Sequence, residues 1–354
     1  MKSSTILLAI STILSVLLLT LGAARIIEKT QDLSAIIMLI IGIVLLVITH
    51  VYWLFIIRPR VNMLREARIL NDLRKEIIGI LNTPVNNIMT KDLITVREDS
   101  SVLEVMNIFV TNNAGSILVT NGKILRGIIT ERDILSQIKD KNLPKLQARD
   151  IMTRKPVTIP PKTIIGEAEL IMVKNMVRKL PIADEDILSG ILTMTDILKS
   201  YENFFNTHEF QTESIPLVQT YMKNEYVRIQ SGTMVIGALK EFIKNKANAI
   251  LVMDKTKLLG IITERDMLSE YMNKPHFLKT TTVQTLMKTN VIAAEKDTSI
   301  IDANKTMIKH NVRRLPVREG EEVIGLITQT EILEAFCYFF ALITSDEGKN
   351  TLVG

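Results

Sequence analysis

Long apolar runs come first along the chain, and short alternating runs fill the rest of it. Residues 3–24 and 33–57 contain no charged side chain, and each run reaches the roughly 20 residues that an α-helix needs to cross a bilayer. Six basic residues follow at 58–76, which by the positive-inside rule places the remainder in the cytoplasm. We therefore expect two transmembrane helices within residues 1–57, a cell-membrane location and cytoplasmic termini. A cleaved signal peptide ending near Ala24 is the alternative for the first run.

A basic linker follows over residues 58–83. Its apolar residues recur mostly at three- and four-residue steps, which predicts an amphipathic helix. The residues with this spacing are Val61, Leu64, Ile69, Leu73, Ile77 and Leu81. The helix could be a dimerising stalk that transmits motion, or it could pack onto the domain that follows. Three heptads are too few to distinguish the two.

One order of strand, helix, strand, strand and helix then recurs four times, roughly every 60 residues. Each copy carries a motif of glycine, two apolar residues, threonine, any two residues and an acid between its last strand and its last helix. The four motifs are GIITERD at 127–133, GILTMTD at 190–196, GIITERD at 260–266 and GLITQTE at 325–331. In the first copy, Asn121 and Gly122 separate two apolar runs and predict a β-hairpin.

The four copies are of two kinds. The first and third share GIITERD, whereas the second and fourth share Arg-x-Leu-Pro at 178–181 and 313–316. The duplicated unit is therefore a pair of copies. One copy is too small to bury its apolar surface alone, which explains why the copies associate in pairs. The expected domains are a first pair at 84–205, a linker at 206–216, a second pair at 217–340 and a flexible tail at 341–354.

This pattern resembles the CBS domain, a small βαββα regulatory module that works as a pair called the Bateman module. The resemblance covers roughly residues 84–340. It predicts an α+β fold with four tandem βαββα CBS repeats in two pairs, preceded by the two-helix transmembrane hairpin. It implies regulatory ligands that contain adenosine, namely AMP, ADP, ATP or S-adenosylmethionine, and a homodimer formed through CBS discs. Whether the pairs close on each other within one chain or between two chains stays open.

The start of the last helix in each motif is a candidate ligand site. Free N–H groups and partial positive charge there suit a phosphate, the threonine adds a hydroxyl, and the acid can accept both hydroxyls of a ribose, as the resemblance also implies. The candidate residues are Thr130, Asp133, Thr193, Asp196, Thr263, Asp266, Thr328 and Glu331, with Arg132, Arg265, Arg178 and Arg313 for phosphate. The same spacing is also a capping box that needs no ligand. Because Glu331 caps better and its extra methylene misplaces the carboxylate for a ribose, we expect the fourth site to be weak or structural.

Composition and charge exclude several classes of protein. The one cysteine, Cys337, excludes a disulfide-stapled fold, and the four scattered histidines form no metal motif. The net charge of +5 leaves a nearly neutral body once the strip at 58–76 is set aside, so nucleic acid is not an expected partner. No catalytic triad, P-loop or metal-spaced cluster accompanies the repeats, and we expect neither an enzyme nor a required cofactor.

These features lead to one main hypothesis and two alternatives. The main hypothesis is a membrane-anchored cytoplasmic sensor whose CBS pairs bind an adenosine nucleotide and pass the signal through the linker helix or to a partner protein. The first alternative is a CBS-gated subunit of a membrane channel or transporter complex. The second is a scaffold whose motifs are capping boxes without a ligand.

Overall fold

The linker helix ends on the repeats. A computed structural model describes residues 41–42, 44–45, 48–138, 143–207, 215–274 and 276–344. Helical residues 48–52 continue through a π-helical turn, Trp53–Ile57, into helix α1, Arg58–Leu81. Ile77 is fully buried, and a Cβ added at Gly166 would lie 3.5 Å from the Leu81 Cβ. The last turns of α1 therefore pack onto the domain that follows, as one of the two interpretations of the linker expects.

The predicted cell-membrane location with two spans is wrong. Among the described residues, no helix is both long enough and apolar enough to cross a bilayer. The first predicted span, 3–24, and the start of the second, 33–40, lie outside the described residues. The described stretch nearest the repeats, 48–57, is helical. It then runs directly into α1, which begins with Arg58.

The first pair of repeats alternates strands and helices in the predicted order. Its elements are β1 (Thr95–Arg97), α2 (Val102–Thr111), β2 (Ile117–Asn121), β3 (Ile124–Ile129), α3 (Glu131–Gln137), α4 (Ala148–Ile151), β4 (Thr153–Arg154), α5 (Ile165–Lys174), β5 (Lys179–Asp184), β6 (Ile187–Thr193) and α6 (Met194–Thr207).

The second pair follows the same plan. Its elements are α7 (Val218–Tyr221), β7 (Arg228–Gln230), α8 (Val235–Lys244), β8 (Ala249–Asp254), β9 (Lys257–Thr263), α9 (Glu264–Asn273), α10 (Phe277–Thr280), α11 (Val283–Leu286), β10 (Ala294–Glu295), α12 (Ile300–Lys309), β11 (Arg314–Glu319), β12 (Glu322–Thr328) and α13 (Gln329–Thr344).

Strand pairing confirms the predicted α+β repeats. In the first, third and fourth repeats, the first strand runs parallel to the second, which forms an antiparallel hairpin with the third. In the second repeat the first strand is reduced to a parallel bridge between Ile159 and Ile182. The hairpin predicted at Asn121 is present, and Gly122 takes the left-handed conformation that such a turn requires, with φ +60°. The two sheets of the first pair join where Ile124 meets Ile187.

The two pairs close on each other within one chain. Helices α2 and α3 of the first repeat pack against α9 of the third, and α6 of the second packs against α12 and α13 of the fourth. Phe109 and Phe242 belong to the core that the first and third repeats share. In the other interface, the rings of Tyr201 and Phe340 meet edge to face, with centroids 4.9 Å apart. A second copy is not needed to complete this arrangement, and the homodimer stays a prediction.

Candidate functional site

In all four motifs the acid caps the helix that the threonine precedes. The backbone N–H of Thr130 donates to Asp133 Oδ2 at 2.7 Å, and the Thr130 hydroxyl donates to the same oxygen at 2.7 Å. The corresponding backbone bonds are 2.8 Å from Thr193 to Asp196, 2.8 Å from Thr263 to Asp266 and 2.9 Å from Thr328 to Glu331. One carboxylate oxygen of each motif is therefore committed to the cap.

Two repeats form the cleft beside each motif. The segment that begins one repeat of a pair lies alongside the motif of the other repeat of that pair. The opposed residues are Thr153 with Ile128, Thr90 with Ile191, Lys288 with Ile261 and Lys223 with Leu326. The motif glycine permits this approach: a Cβ at Gly127 would lie 2.5 Å from the sulfur of Met152. The repeated glycine thus has a packing reason as well as a place in the motif.

The four repeats surround one central cavity of about 620 Å³. Of the predicted site residues, Thr130, Arg132, Arg178, Thr193, Thr263, Arg265 and Arg313 line it. The acids of the four motifs do not line the cavity, nor does Thr328, and Glu331 is buried. The motifs therefore supply threonines and arginines to a shared space, while their carboxylates lie beside it.

Two of the predicted arginines lock the first and third repeats together. Arg132 Nε donates to Glu264 Oε1 at 2.8 Å, and its Nη2 donates to the Asn248 side-chain oxygen. Arg265 returns the contact, with Nε 2.7 Å from Glu131 Oε1 and Nη2 2.7 Å from the carbonyl oxygen of Ala114. Burial raises the pKa of Glu264, and the adjacent Arg132 guanidinium opposes that shift. Most of the hydrogen-bonding capacity of these two guanidinium groups is used by the protein.

The cavity is strongly cationic. Eight basic and two acidic side chains line it, and the two acids, Glu131 and Glu264, are paired with arginines. A third ion pair joins Lys288 Nζ to Asp266 Oδ1 at 2.7 Å. The basic residues of the cavity that form no ion pair within the described part of the chain are Lys155, Arg178, Lys179, Arg313 and Arg314.

Burial and mutual repulsion lower the pKa values of four of these cations, Arg178, Lys179, Arg313 and Arg314. Burial, followed by the nearby Arg313 charge, lowers the pKa of Lys179 to about 7. Burial and the Arg178 charge lower the pKa of Arg314 to about 10, and its Nε is buried without a hydrogen-bond partner. Burial also lowers the pKa values of Arg178 and Arg313, whose exposed surfaces face the cavity. An anion in this cavity would favour the charged form of all four groups.

Lys179 and Arg314 are absent from the residues predicted by sequence, although the signal was available. Each follows the arginine of the shared Arg-x-Leu-Pro motif, at the first position of β5 and of β11. Successive residues of a strand point to opposite faces of the sheet. The residues that follow Arg178 and Arg313 are therefore not expected to share a site with them. Arg178 and Arg313 lie just before β5 and β11, where the alternation of the strand has not begun, and each lines the cavity together with the residue that follows it. Among the described residues, no cluster of His, Cys, Asp and Glu is placed to hold a metal ion.

Comparison with known proteins identifies the repeats. The family model of the CBS domain matches residues 85–140, 148–203, 218–273 and 283–338, more than half of the chain. The uncharacterized protein MJ1225 of Methanocaldococcus jannaschii is 27% identical over 217 residues, which cover 59% of this chain and 76% of that protein.

Two further similarities extend over most of the chain. A CBS domain-containing protein of Arabidopsis thaliana, CBSCBSPB5, is 24% identical over 282 residues; the match covers 68% of this chain and 51% of the plant protein. The crystal structure of MJ1225 superposes with a TM-score of 0.65 at 20% identity, covering 72% of this chain and all of that one, which shows a common fold.

Proposed function

The chain belongs to the CBS-domain family, and from this premise we propose that it is a non-catalytic regulatory protein that binds the phosphates of adenosine nucleotides in its central cavity. The excess of positive charge in that cavity carries the proposal. Eight basic side chains from all four repeats face two acids that are already paired. Like charges that are crowded together and partly removed from water without a counterion are unfavourable, and a polyanion is the ligand that relieves them.

Phosphate suits the unpaired groups better than other anions do. A guanidinium presents a planar set of donors that matches phosphate oxygens in pairs, and lysine adds a point charge. Arg178 and Arg313 line the cavity from opposite pairs, so one phosphate chain can contact both pairs. S-adenosylmethionine lacks phosphate and carries a sulfonium cation, so the cavity disfavours it relative to AMP, ADP and ATP.

The first motif keeps an acceptor for the nucleoside. Asp133 has one oxygen in the cap, and its other oxygen receives no hydrogen bond from a described residue. Pro156, Val157 and Met176 give part of the cavity wall an apolar character that suits an adenine ring. Asp133 would accept the ribose hydroxyls in this arrangement, with the phosphates directed to the arginines.

Binding would regulate by biasing how the two pairs pack. The cavity is lined by residues of both pairs, so a ligand that touches Arg178 and Arg313 together stabilises one relative position of the pairs. A ligand shifts such an equilibrium only through different affinities for the two arrangements. A partner protein would then respond to the shift. MJ1225, which its crystallographers present as a candidate archaeal homolog of g-AMPK, is similar to this chain over the same repeats.

Calorimetric titration of the full chain with adenosine, AMP, ADP, ATP and S-adenosylmethionine tests the proposal. We expect saturable binding of the three nucleotides, an affinity that falls as salt is added, and at least about tenfold weaker binding of adenosine and S-adenosylmethionine. An absence of saturable binding by every nucleotide at millimolar concentration would favour the scaffold alternative, in which the motifs serve only as caps.

A further inference from the structure

The second pair neutralises the free oxygens of its own motif acids with lysines. Lys288 Nζ lies 2.7 Å from Asp266 Oδ1, and Lys223 Nζ lies 2.8 Å from Glu331 Oε1. The remaining oxygen of each acid accepts the capping bonds. Both carboxylates of the second pair are therefore satisfied on both oxygens by the protein itself.

The first pair has threonine where the second has lysine. Thr153 and Thr90 occupy the positions that correspond to Lys288 and Lys223, each opposite the residue two places before the motif threonine. Neither threonine is hydrogen-bonded to Asp133 or Asp196, whose capping oxygens are the only ones bonded within the described part of the chain. Each of these aspartates keeps one oxygen for a ligand.

We propose that Lys288 and Lys223 close the nucleoside clefts of the second pair. The inference rests on the proposed function. A ribose binds such an acid through two neutral hydroxyls, whereas a lysine ammonium forms a charge-assisted hydrogen bond to the same oxygen and is held there by its own chain. The nucleoside half of the ligand then binds in the first pair only, and the second pair contributes Arg313 and Arg314 to the phosphates.

The lysines reach the acids from the surface. Lys288 is 63% exposed over an Asp266 side chain that is 9% exposed, and Lys223 is 66% exposed over a Glu331 side chain that is 3% exposed. Thr90 and Thr153 are exposed as well. Exchanging lysine and threonine at these positions therefore leaves the core unchanged, and nucleotide binding reports the state of the cleft instead of the folding of the repeat.

A reciprocal exchange tests the assignment. Lys288→Thr gives the third motif the residue of the first, and Thr153→Lys gives the first motif the residue of the third. We expect calorimetry with ATP to show one more nucleotide per chain in Lys288→Thr than in the wild type, and an affinity loss of about tenfold or more at one site in Thr153→Lys. Lys257→Thr removes the same charge from an exposed position of β9 and should bind as the wild type does.

The possible results separate this inference from the proposed function. Nucleotide binding by the wild type, with unchanged stoichiometry in Lys288→Thr and unchanged affinity in Thr153→Lys, overturns the role of the lysines and keeps the cavity as a nucleotide site. No binding by the wild type or by either variant overturns both. Binding that is confined to Lys288→Thr supports the role of the lysine and shows that the first pair does not accept the ligand.

Discussion

Arg132 of the first repeat and Glu264 of the third lie 2.8 Å apart, and Arg265 and Glu131 form the same contact in the opposite direction at 2.7 Å. The corresponding positions in the second and fourth motifs are uncharged, and there the Thr195 hydroxyl donates to the Gln329 side-chain oxygen at 3.0 Å. The two kinds of motif thus determine which repeats meet. A repeat with a charged motif contacts the other charged motif, and a repeat with a neutral motif contacts the other neutral one. A wrong pairing would leave a buried charge opposite an amide or a methionine.

A double-mutant cycle measures this contact. Arg132→Ala or Glu264→Ala alone should lower the free energy of unfolding by about 2 kcal/mol, because each leaves the other charge partly buried without its partner. The double variant should lose less than the sum, with a coupling energy of about 1 to 2 kcal/mol in urea denaturation.

The exposed pair Arg97 and Asp99 is a matched control for the cycle. Both side chains are largely in solvent, at 77% and 56% exposure, so the same cycle should show no measurable coupling. A coupling between Arg132 and Glu264 as small as that of the control would contradict the role given to them.

Glu169 makes the stability of the other interface depend on pH. This residue is 2% exposed and accepts a hydrogen bond from the hydroxyl of Tyr201, whose ring packs against Phe340 of the fourth repeat. Burial raises the pKa of Glu169 from 4.5 to about 7, and the hydrogen bonds from Tyr201 and Cys337 only partly oppose the shift. The folded protein therefore prefers the protonated acid. The stability that protonated Glu169 contributes is present below pH 4.5 and is lost as the pH rises through 7.

Glu169→Gln should abolish that loss. At 1.36 kcal/mol for each pKa unit, the wild type should lose about 3 kcal/mol between pH 4 and pH 8 relative to the variant. Urea denaturation at a series of pH values measures the difference. Parallel stability profiles of the two proteins would mean that Glu169 is ionised in the fold at neutral pH.

Lys179 should couple nucleotide binding to proton uptake. Burial and the nearby Arg313 charge lower the pKa of the Lys179 amine to about 7. A bound phosphate would raise this pKa towards its ordinary value of 10.5. At pH 8 the free protein then takes up protons when it binds ATP, and affinity falls as the pH rises from 7 to 10. Calorimetry in buffers of different ionisation enthalpy measures the uptake. Lys179→Met should remove it, and a wild type that takes up no proton would exclude contact between this amine and the phosphates.

The periodic parts of the fold were predictable from the sequence, and the relations between its parts were not. Hairpins and capped helices are local, so glycine spacing and the Thr-x-x-acid motif were enough to place them. The ion pair between Arg132 and Glu264 joins residues far apart in the chain, so it could be identified only from the packing of the helices in the structure. The lysines opposite the second-pair acids were visible only as the residues after Met222 and Met287, with no sign of their partners. Hydropathy predicted a span at 33–57, whereas no described helix is both long enough and apolar enough to cross a bilayer.

Gly115 tests the positions of the cavity cations without altering charge. A Cβ at this residue would lie 2.8 Å from Lys179 Nζ and 3.0 Å from an Arg313 guanidinium nitrogen. Gly115→Ala should therefore push both side-chain ends aside and weaken ATP binding about tenfold, while the flexible ends absorb the strain without unfolding. Gly79→Ala on α1, where nothing lies within 4 Å of the added Cβ, should bind ATP normally and gain about 0.5 kcal/mol of stability. Equal ATP affinity in the two variants would contradict this placement of Lys179 and Arg313.

The affinity of the Arg178→Ala, Arg313→Ala double variant for ATP tests the central claim most directly. Both arginines line the cavity without an ion pair among the described residues, so their removal should lower the affinity by about a hundredfold. The melting temperature should not fall, because removing both arginines relieves the repulsion among the cations of the cavity. Lys240→Ala with Lys244→Ala, on the exposed face of α8, removes the same charge elsewhere. An ATP affinity in the arginine variant equal to that of the lysine control would contradict the account.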